Sequence, residues 1–254
     1  MRSCCPLLLL LSTVHLCTSL TTGDSESCPA MAGRKVALVL GASGETGKEV
    51  VRQLVGSDGY SQVNIVTRRQ LDFPKDEPGY NKISQKIVDF DQLEQFSSAF
   101  AGADTAFCCL GTTRAAAGAE GFVKVDHDYV LHSAKILHTN NCSDFHLLTS
   151  KGSNADSWFL YPSTKGKVEA AVADVGFPRL TIYRPGLLLC ERPNRPRRMF
   201  EEFAQKVAGW IDKSHGWSVP TTILAAAMVN NAGTEQAEAV KILEHQDIVN
   251  LNHK

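Results

Sequence analysis

No two cysteines, and no cysteine and histidine, stand at metal-ligand spacing in this chain, so no metal site is expected. The apolar stretch that runs from Pro6 to Leu11 and on through mixed residues to Leu20 is too short for a comfortable membrane span. Neither sign of charge dominates. A net charge of -1 over 254 residues gives no electrostatic reason to expect nucleic acid or an anionic membrane as a partner. The basic run Arg192, Arg195, Arg197 and Arg198 is interrupted by two prolines and reads as a solvated loop. Internal repeats and low-complexity tracts are also absent, which excludes a stacked-repeat architecture. Of the eight cysteines, Cys4, Cys5, Cys17 and Cys28 fall in the first thirty residues, Cys108 and Cys109 are adjacent on an expected strand, and Cys142 and Cys190 stand alone. Reduced core thiols fit this pattern better than a disulfide framework.

Residues 1–30 differ in composition from the rest and read as a leader. One positive charge at Arg2, a short apolar core and small residues near Cys17 to Ser19 suit a secretory signal. Met31-Ala32-Gly33-Arg34, just before the first apolar run, would equally suit the start of a cytosolic enzyme. Both readings stay open. The cytoplasm is the expected compartment, and the secretory pathway is the alternative if the leader acts as a signal.

What the chain does have is a strand running into a glycine-punctuated turn. Val36 to Leu40 is apolar throughout, as in a strand covered on both faces. Gly41-Ala42-Ser43-Gly44-Glu45-Thr46-Gly47 follows, and a helix continues from Lys48 to Val55. Glycine permits φ > 0 and close backbone approach, while the helix start turns its N–H groups and positive dipole end toward the turn. Strand, turn and helix together form a dinucleotide fingerprint.

Beyond it, apolar runs alternate with helical patterns. Strands are expected at Val63–Thr67, Lys86–Asp89, Asp104–Leu110, Phe145–Thr149 and Leu180–Arg184. Helices are expected at Asp91–Ala101, Phe122–His138 and Pro162–Val175. This βαβ alternation predicts an α/β Rossmann fold with a doubly wound parallel sheet. Residues 31–186 would form its core, and residues 187–254 a small C-terminal substrate cap within the same domain. In that cap, Met199–Trp210 and Thr221–Asn231 look helical.

Two further constellations carry chemistry. The second strand ends in Arg68 and Arg69, where an NAD site would place a carboxylate for the ribose hydroxyls. Paired guanidiniums suit a 2′-phosphate instead, so NADP(H) is the expected cofactor. Tyr161 and Lys165, four residues apart, share a helix face. A neighbouring ammonium eases proton exchange at a phenol, which suits acid–base work on a carbonyl or alcohol while a cofactor moves hydride.

The glycine turn, the Tyr161/Lys165 pair and Tyr183-Arg184-Pro185-Gly186 together resemble an atypical, extended-type short-chain dehydrogenase/reductase with an NAD(P)-binding Rossmann fold. Several stretches are similar to the Tat-interacting oxidoreductase family in particular: Leu40 to Gly47, Val88 to Phe90, Phe107-Cys108-Cys109-Leu110-Gly111-Thr112-Thr113-Arg114, Gly118 to Phe122, Arg184 to Gly186 and His215 to Pro220. The likeness runs from about Val36 to about Asn231, and the Cys-Cys-Leu-Gly-Thr-Thr-Arg run is its most specific part.

The resemblance implies that Gly41, Ser43, Gly44, Glu45, Thr46 and Gly47 line the pyrophosphate, and Arg68 and Arg69 the 2′-phosphate. It implies Asp89 and Phe90 by the adenine, Leu110 and Gly111 by the ribose near the nicotinamide, and Arg184 at the nicotinamide end. Tyr161 would be the proton donor or acceptor, Lys165 would hold the ribose and tune Tyr161, and Ser150 would orient the substrate oxygen, with Thr149 as its rival neighbour. A small-molecule carbonyl or alcohol is the implied substrate, and a monomer is expected. Regulatory protein partners, in apoptosis, nuclear transport or transcription, come from the resemblance alone, as does a nuclear-envelope location. A regulatory protein that binds NADPH and acts through partners is therefore the alternative function. A sugar-nucleotide epimerase fits less well, because the stretch after Gly186 is short for the substrate domain such enzymes carry. Two departures stand out. Pro162 directly follows Tyr161, and Val125-Asp126 occupies the place where short-chain dehydrogenases often carry an asparagine.

Overall fold

The computed structural model describes residues 35–74, 76–190 and 217–251. The expected leader, the arginine run and the helix at Met199–Trp210 lie outside the described residues.

β1 (Lys35–Leu40) is fully buried from Ala37 to Leu40. Its side chains alternate between two cores, which is why the run shows no polar alternation. Leu38 and Leu40 pack with Val130, Ala134 and Leu137 of one helix, α3 (Tyr129–Thr139), and with Val168 and Val172 of another, α4 (Leu160–Ala173). Ala37 and Val39 face the opposite way, toward α1 (Glu45–Gly56) and α5 (Thr221–Asn231), whose Val50, Leu54, Leu224 and Met228 share their cluster. Each fully buried Val or Leu stabilises the fold by about 1.5–3 kcal/mol, so this strand is a main anchor of both layers.

The sheet has seven parallel strands. Their order is β3 (Ile83–Ile87), β2 (Tyr60–Thr67), β1, β4 (Thr105–Cys108), β5 (Asp144–Leu148), β6 (Arg179–Arg184) and β9 (Val240–Glu244). Two short strands, β7 (Leu187–Leu189) and β8 (Ser218–Pro220), pair separately. The doubly wound α/β Rossmann architecture is therefore present. A short helix, α6 (His245–Leu251), follows β9.

Several elements differ from their sequence expectations. β2 starts three residues earlier, at Tyr60, ahead of exposed Ser61 and Gln62, and β4 is limited to Thr105–Cys108. The third strand starts earlier, at Ile83. It is an edge strand, only partly buried, so its apolar pattern is faint, and Asp89 has left the sheet to cap the next segment. Phe90–Phe100 is a run of 3-10 turns rather than an α-helix, kinked at Gln92 and Phe96, yet it still buries Phe90, Leu93 and Phe100. The long helix begins earlier, as α2 (Arg114–Val123), bends at Gly118 and passes through a π-helical turn at Lys124–Asp128 before α3. Finally, β9 pairs with β6 from Leu180↔Val240 to Arg184↔Glu244, so residues 240–244 belong to the main sheet and not to a cap. Val240–Glu244 is largely exposed at that outer edge, which hid it from the hydrophobic pattern.

Candidate active site

The chain leaves β1 at Gly41, whose φ of +80° is a left-handed conformation. A Cβ there would lie 2.4 Å from the Cys109 carbonyl oxygen, so only glycine lets the turn pass beside the end of β4. The Gly44 N–H donates to the Gly41 carbonyl and the Lys48 N–H to the Gly44 carbonyl, each at 2.9 Å, which closes the turn and starts α1. A Cβ on Gly47 would lie 2.1 Å from that Gly41 carbonyl, so the helix can begin flush against the strand end. Gly44, at the N-cap, has no side chain with which to cap α1. The helix start thus offers N–H groups and the positive end of its dipole to an anion.

β1 and β4 are neighbours, and the chain leaves one toward β2 and the other toward β5. That divergence opens a crevice at the carboxyl ends of the strands. A cleft of about 360 Å³ fills it. Gly41, Ser43 and Gly44 form one wall, and Leu110, Gly111 and Thr112, just after β4, form another. Arg68 and Arg69 stand exposed on its lip, where the Thr67 hydroxyl donates to the Arg69 carbonyl at 3.1 Å. Phe90 and Tyr129 close the far end with their rings 5.2 Å apart. A backbone turn closed to side chains at Gly41 and Gly47, with two exposed guanidiniums at the cleft's lip, fits a dinucleotide.

Beside this cleft, α4 carries both Tyr161 and Lys165. Its N-cap is Phe159, so Pro162 falls in the first turn, where a missing N–H costs nothing. The Tyr161 ring stacks on Phe122, centroids 5.5 Å apart, and the residue stays 49% exposed. Lys165 is only 5% exposed and pairs with Asp126 at 2.7 Å. The second oxygen of that carboxylate accepts the Thr112 N–H, also at 2.7 Å. Burial raises the Asp126 carboxyl above its ordinary value, while Lys165 and the Thr112 N–H oppose that rise. Past the end of β5, the Ser150 hydroxyl is buried with no hydrogen-bond partner among the described residues. Its neighbour Thr149 donates to Glu169 at 2.5 Å.

A family model described as NAD(P)H-binding matches residues 41–230. The chain belongs to the NAD(P)H-binding family. Protein HTATIP2 of Rattus norvegicus is 43% identical over 219 residues, covering 85% of this chain and 89% of that protein. With it the resemblance to the Tat-interacting oxidoreductases, atypical short-chain dehydrogenases/reductases, is established. Protein FMP52, mitochondrial, of Candida albicans is 33% identical over 173 residues, covering 68% and 75% of the two chains. Among solved structures, a putative NAD-dependent epimerase/dehydratase from Bacillus halodurans superposes with a TM-score of 0.65 at 16% identity, covering 86% of this chain and 99% of that one. MoeE5 in complex with UDP-glucuronic acid and NAD gives 0.61 at 14% identity, over 82% and 75%. At such identities these two structures share the fold with this NAD(P)H-binding protein.

The cleft brings together Gly41, Ser43, Gly44, Arg68, Arg69, Phe90, Leu110 and Gly111. Glu45, Thr46 and Gly47 form the first turn of α1 beside it. Two expected cofactor residues are engaged elsewhere. The Asp89 carboxylate caps the following segment, accepting from the Asp91 N–H at 2.9 Å and the Gln92 amide at 3.3 Å. The Arg184 guanidinium is held by Glu169, at 2.6 Å, and by Glu244, at 3.0 Å. Arg184 ends β6 and Asp89 caps the segment after β3, and the partners of both were invisible in sequence. The sequence reading assigned no role to Thr112, Tyr129 or Asp126. Asp126 had stood out only as a departure, in the place where short-chain dehydrogenases often carry an asparagine; it also lies four positions from Phe122 and from Val130 on the buried helix face.

Proposed function

We propose that the chain is an NADPH-dependent oxidoreductase of the short-chain dehydrogenase type, which reduces a carbonyl or oxidises the corresponding alcohol. The supporting observation is the pair on α4: a half-exposed Tyr161 one turn from a buried Lys165, whose Nζ lies 4.0 Å from the Cβ position of cleft-lining Gly111. Arg68 and Arg69 would hold the 2′-phosphate, the glycine turn the pyrophosphate, Phe90 the adenine, and Leu110 and Gly111 the nicotinamide-side ribose. When bound, the cofactor supplies the hydride. Tyr161 donates its phenol proton to the carbonyl oxygen, Ser150 aligns that oxygen by a hydrogen bond, and the Lys165 ammonium favours the negative charge left on the phenol.

Fluorescence titration with NADPH and NADH tests the cofactor assignment. Tight NADPH binding that collapses in Arg68→Ala/Arg69→Ala is expected, and equal affinity for both cofactors would refute it. In a screen of aldehydes and ketones, Tyr161→Phe should lower turnover about 10²–10⁴-fold while leaving cofactor affinity unchanged. The rival reading is a protein that binds NADPH and acts through partners. It draws on Trp158 and Phe159, both exposed directly ahead of α4. Turnover that vanishes in Tyr161→Phe decides for the enzyme.

A further inference from the structure

Asp126 has an unusual position for a carboxylate. It is 1% exposed and lies in the π-helical turn, where the Tyr129 N–H reaches back five residues to the Lys124 carbonyl. Such turns insert one residue into a helix and re-aim its side chains, and they recur at functional sites. One Asp126 oxygen takes the Lys165 ammonium of α4, and the other takes the Thr112 N–H of the segment that follows β4. The Asp126 Oδ1 lies 3.4 Å from the Cβ position of Gly111, so the ion pair sits directly beneath the cleft wall.

We propose that Asp126 is the positioning residue of this site, a single carboxylate that fixes both the Gly111–Thr112 wall and the Lys165 ammonium in the places where a dinucleotide's nicotinamide-side ribose needs them. This rests on the proposed cofactor site. The two jobs require two acceptor oxygens at one point. An amide offers one acceptor and one donor, so it would turn an NH₂ group toward either the ammonium or the Thr112 N–H. An aspartate therefore stands where an asparagine cannot do the same work. Because Lys165 is buried, loss of its counter-charge also releases its aim.

The test compares two ligands. 2′,5′-ADP carries the adenine end and the 2′-phosphate but has no nicotinamide ribose, whereas NADPH carries both ends. Asp126→Asn, which is nearly isosteric, should weaken NADPH binding roughly tenfold, about the value of one charge-assisted hydrogen bond, and leave 2′,5′-ADP binding unchanged. Lys165→Met should do the same, and the double variant should be no weaker than Lys165→Met alone. Full NADPH affinity in Asp126→Asn would overturn the proposal, as would full affinity in Lys165→Met or additive losses in the double variant. Equal loss of both ligands in Asp126→Asn would also overturn it, because a loosened fold and not a mispositioned lysine would then be the cause. Wild-type protein that binds neither ligand would instead remove the cofactor site itself.

Discussion

Gly41→Ala tests the claim that the turn after β1 is sterically closed and not merely flexible. Two costs are separable. The first is the left-handed φ of +80°, which costs a side chain about 1–2 kcal/mol. The second is overlap, since the added methyl would lie 2.4 Å from the Cys109 oxygen, 2.6 Å from its carbonyl carbon and 2.9 Å from the Leu110 nitrogen. All three are backbone atoms at the end of β4, so β1 and β4 must part or the turn must unwind, at a further cost of about 1–3 kcal/mol. Gly102 provides the control. Its φ of +75° is nearly the same, but nothing lies within 4 Å of its Cβ position. Urea unfolding followed by fluorescence should give a loss of about 1–2 kcal/mol for Gly102→Ala and about 2–5 kcal/mol for Gly41→Ala. Gly41→Ala should also lose NADPH binding, because the moved atoms belong to the cleft. Equal losses for the two variants would refute the packing argument, leaving only backbone conformation as the reason for glycine.

Three further outcomes follow from buried charge. Glu169→Gln removes the buried negative charge that faces Arg184 and leaves one acceptor oxygen for Arg184 and Thr149 to share, and should cost about 3–5 kcal/mol in chemical denaturation. Glu244→Gln removes the half-exposed partner of the same arginine and should cost less than about 1 kcal/mol; comparable losses would contradict the burial argument. In the middle of β5, beside β6, His146 is fully buried between Asp144, 3.0 Å away, and the Tyr183 hydroxyl, 2.9 Å away. Burial holds its proton affinity below the ordinary histidine value despite Asp144, so on acidification the unfolded chain takes up this proton before the folded chain does, from about pH 6.5. Stability should therefore fall as pH drops from about 6.5, by at most about 1.4 kcal/mol per pH unit. Burial pushes the Asp144 carboxyl up, but His146 and Arg179 push it down further, so its contribution is present above the ordinary aspartate range and is lost only at lower pH, as the carboxylate protonates. Urea midpoints at pH 7.5 and 5.5, with His146→Gln as the non-titrating comparison, check the sign. Equal pH dependence in the two proteins would rule His146 out as its source.

What could be read from sequence and what could not divide along a physical line. The central strands are apolar on both faces because helices cover both, so β1 and the Rossmann pattern around it were legible. The edge strands β3 and β9 keep much of their surface in water, so β3 was displaced at both ends and β9 was not seen; β2 was found, but its start at Tyr60 was hidden by exposed Ser61 and Gln62. Glycine at Gly41 was legible for a related reason: a backbone position that excludes Cβ leaves only one residue type. The roles of polar side chains were less legible, because sequence gives a residue's chemistry but not its partner. Arg184 reads the same whether it meets the nicotinamide end of a cofactor or Glu169, and Asp89 reads the same whether it meets adenine or the Asp91 N–H.

Asp126 shows how such a residue can still declare itself. A carboxylate on the buried side of a helix must find a counter-charge or lose its own, since desolvation alone would neutralise it. The counter-charge within reach in the fold is Lys165, itself buried and in need of an anion. Each residue is explicable only by the other, so the two share one fate in any account of the site. A lysine that served solely to hold a ribose could have been left solvated at the mouth of the cleft. This one is 5% exposed and, through Asp126, tied to the wall that carries Gly111 and Thr112, which makes the geometry of that wall depend on the same charge that would face Tyr161 in the proposed reaction.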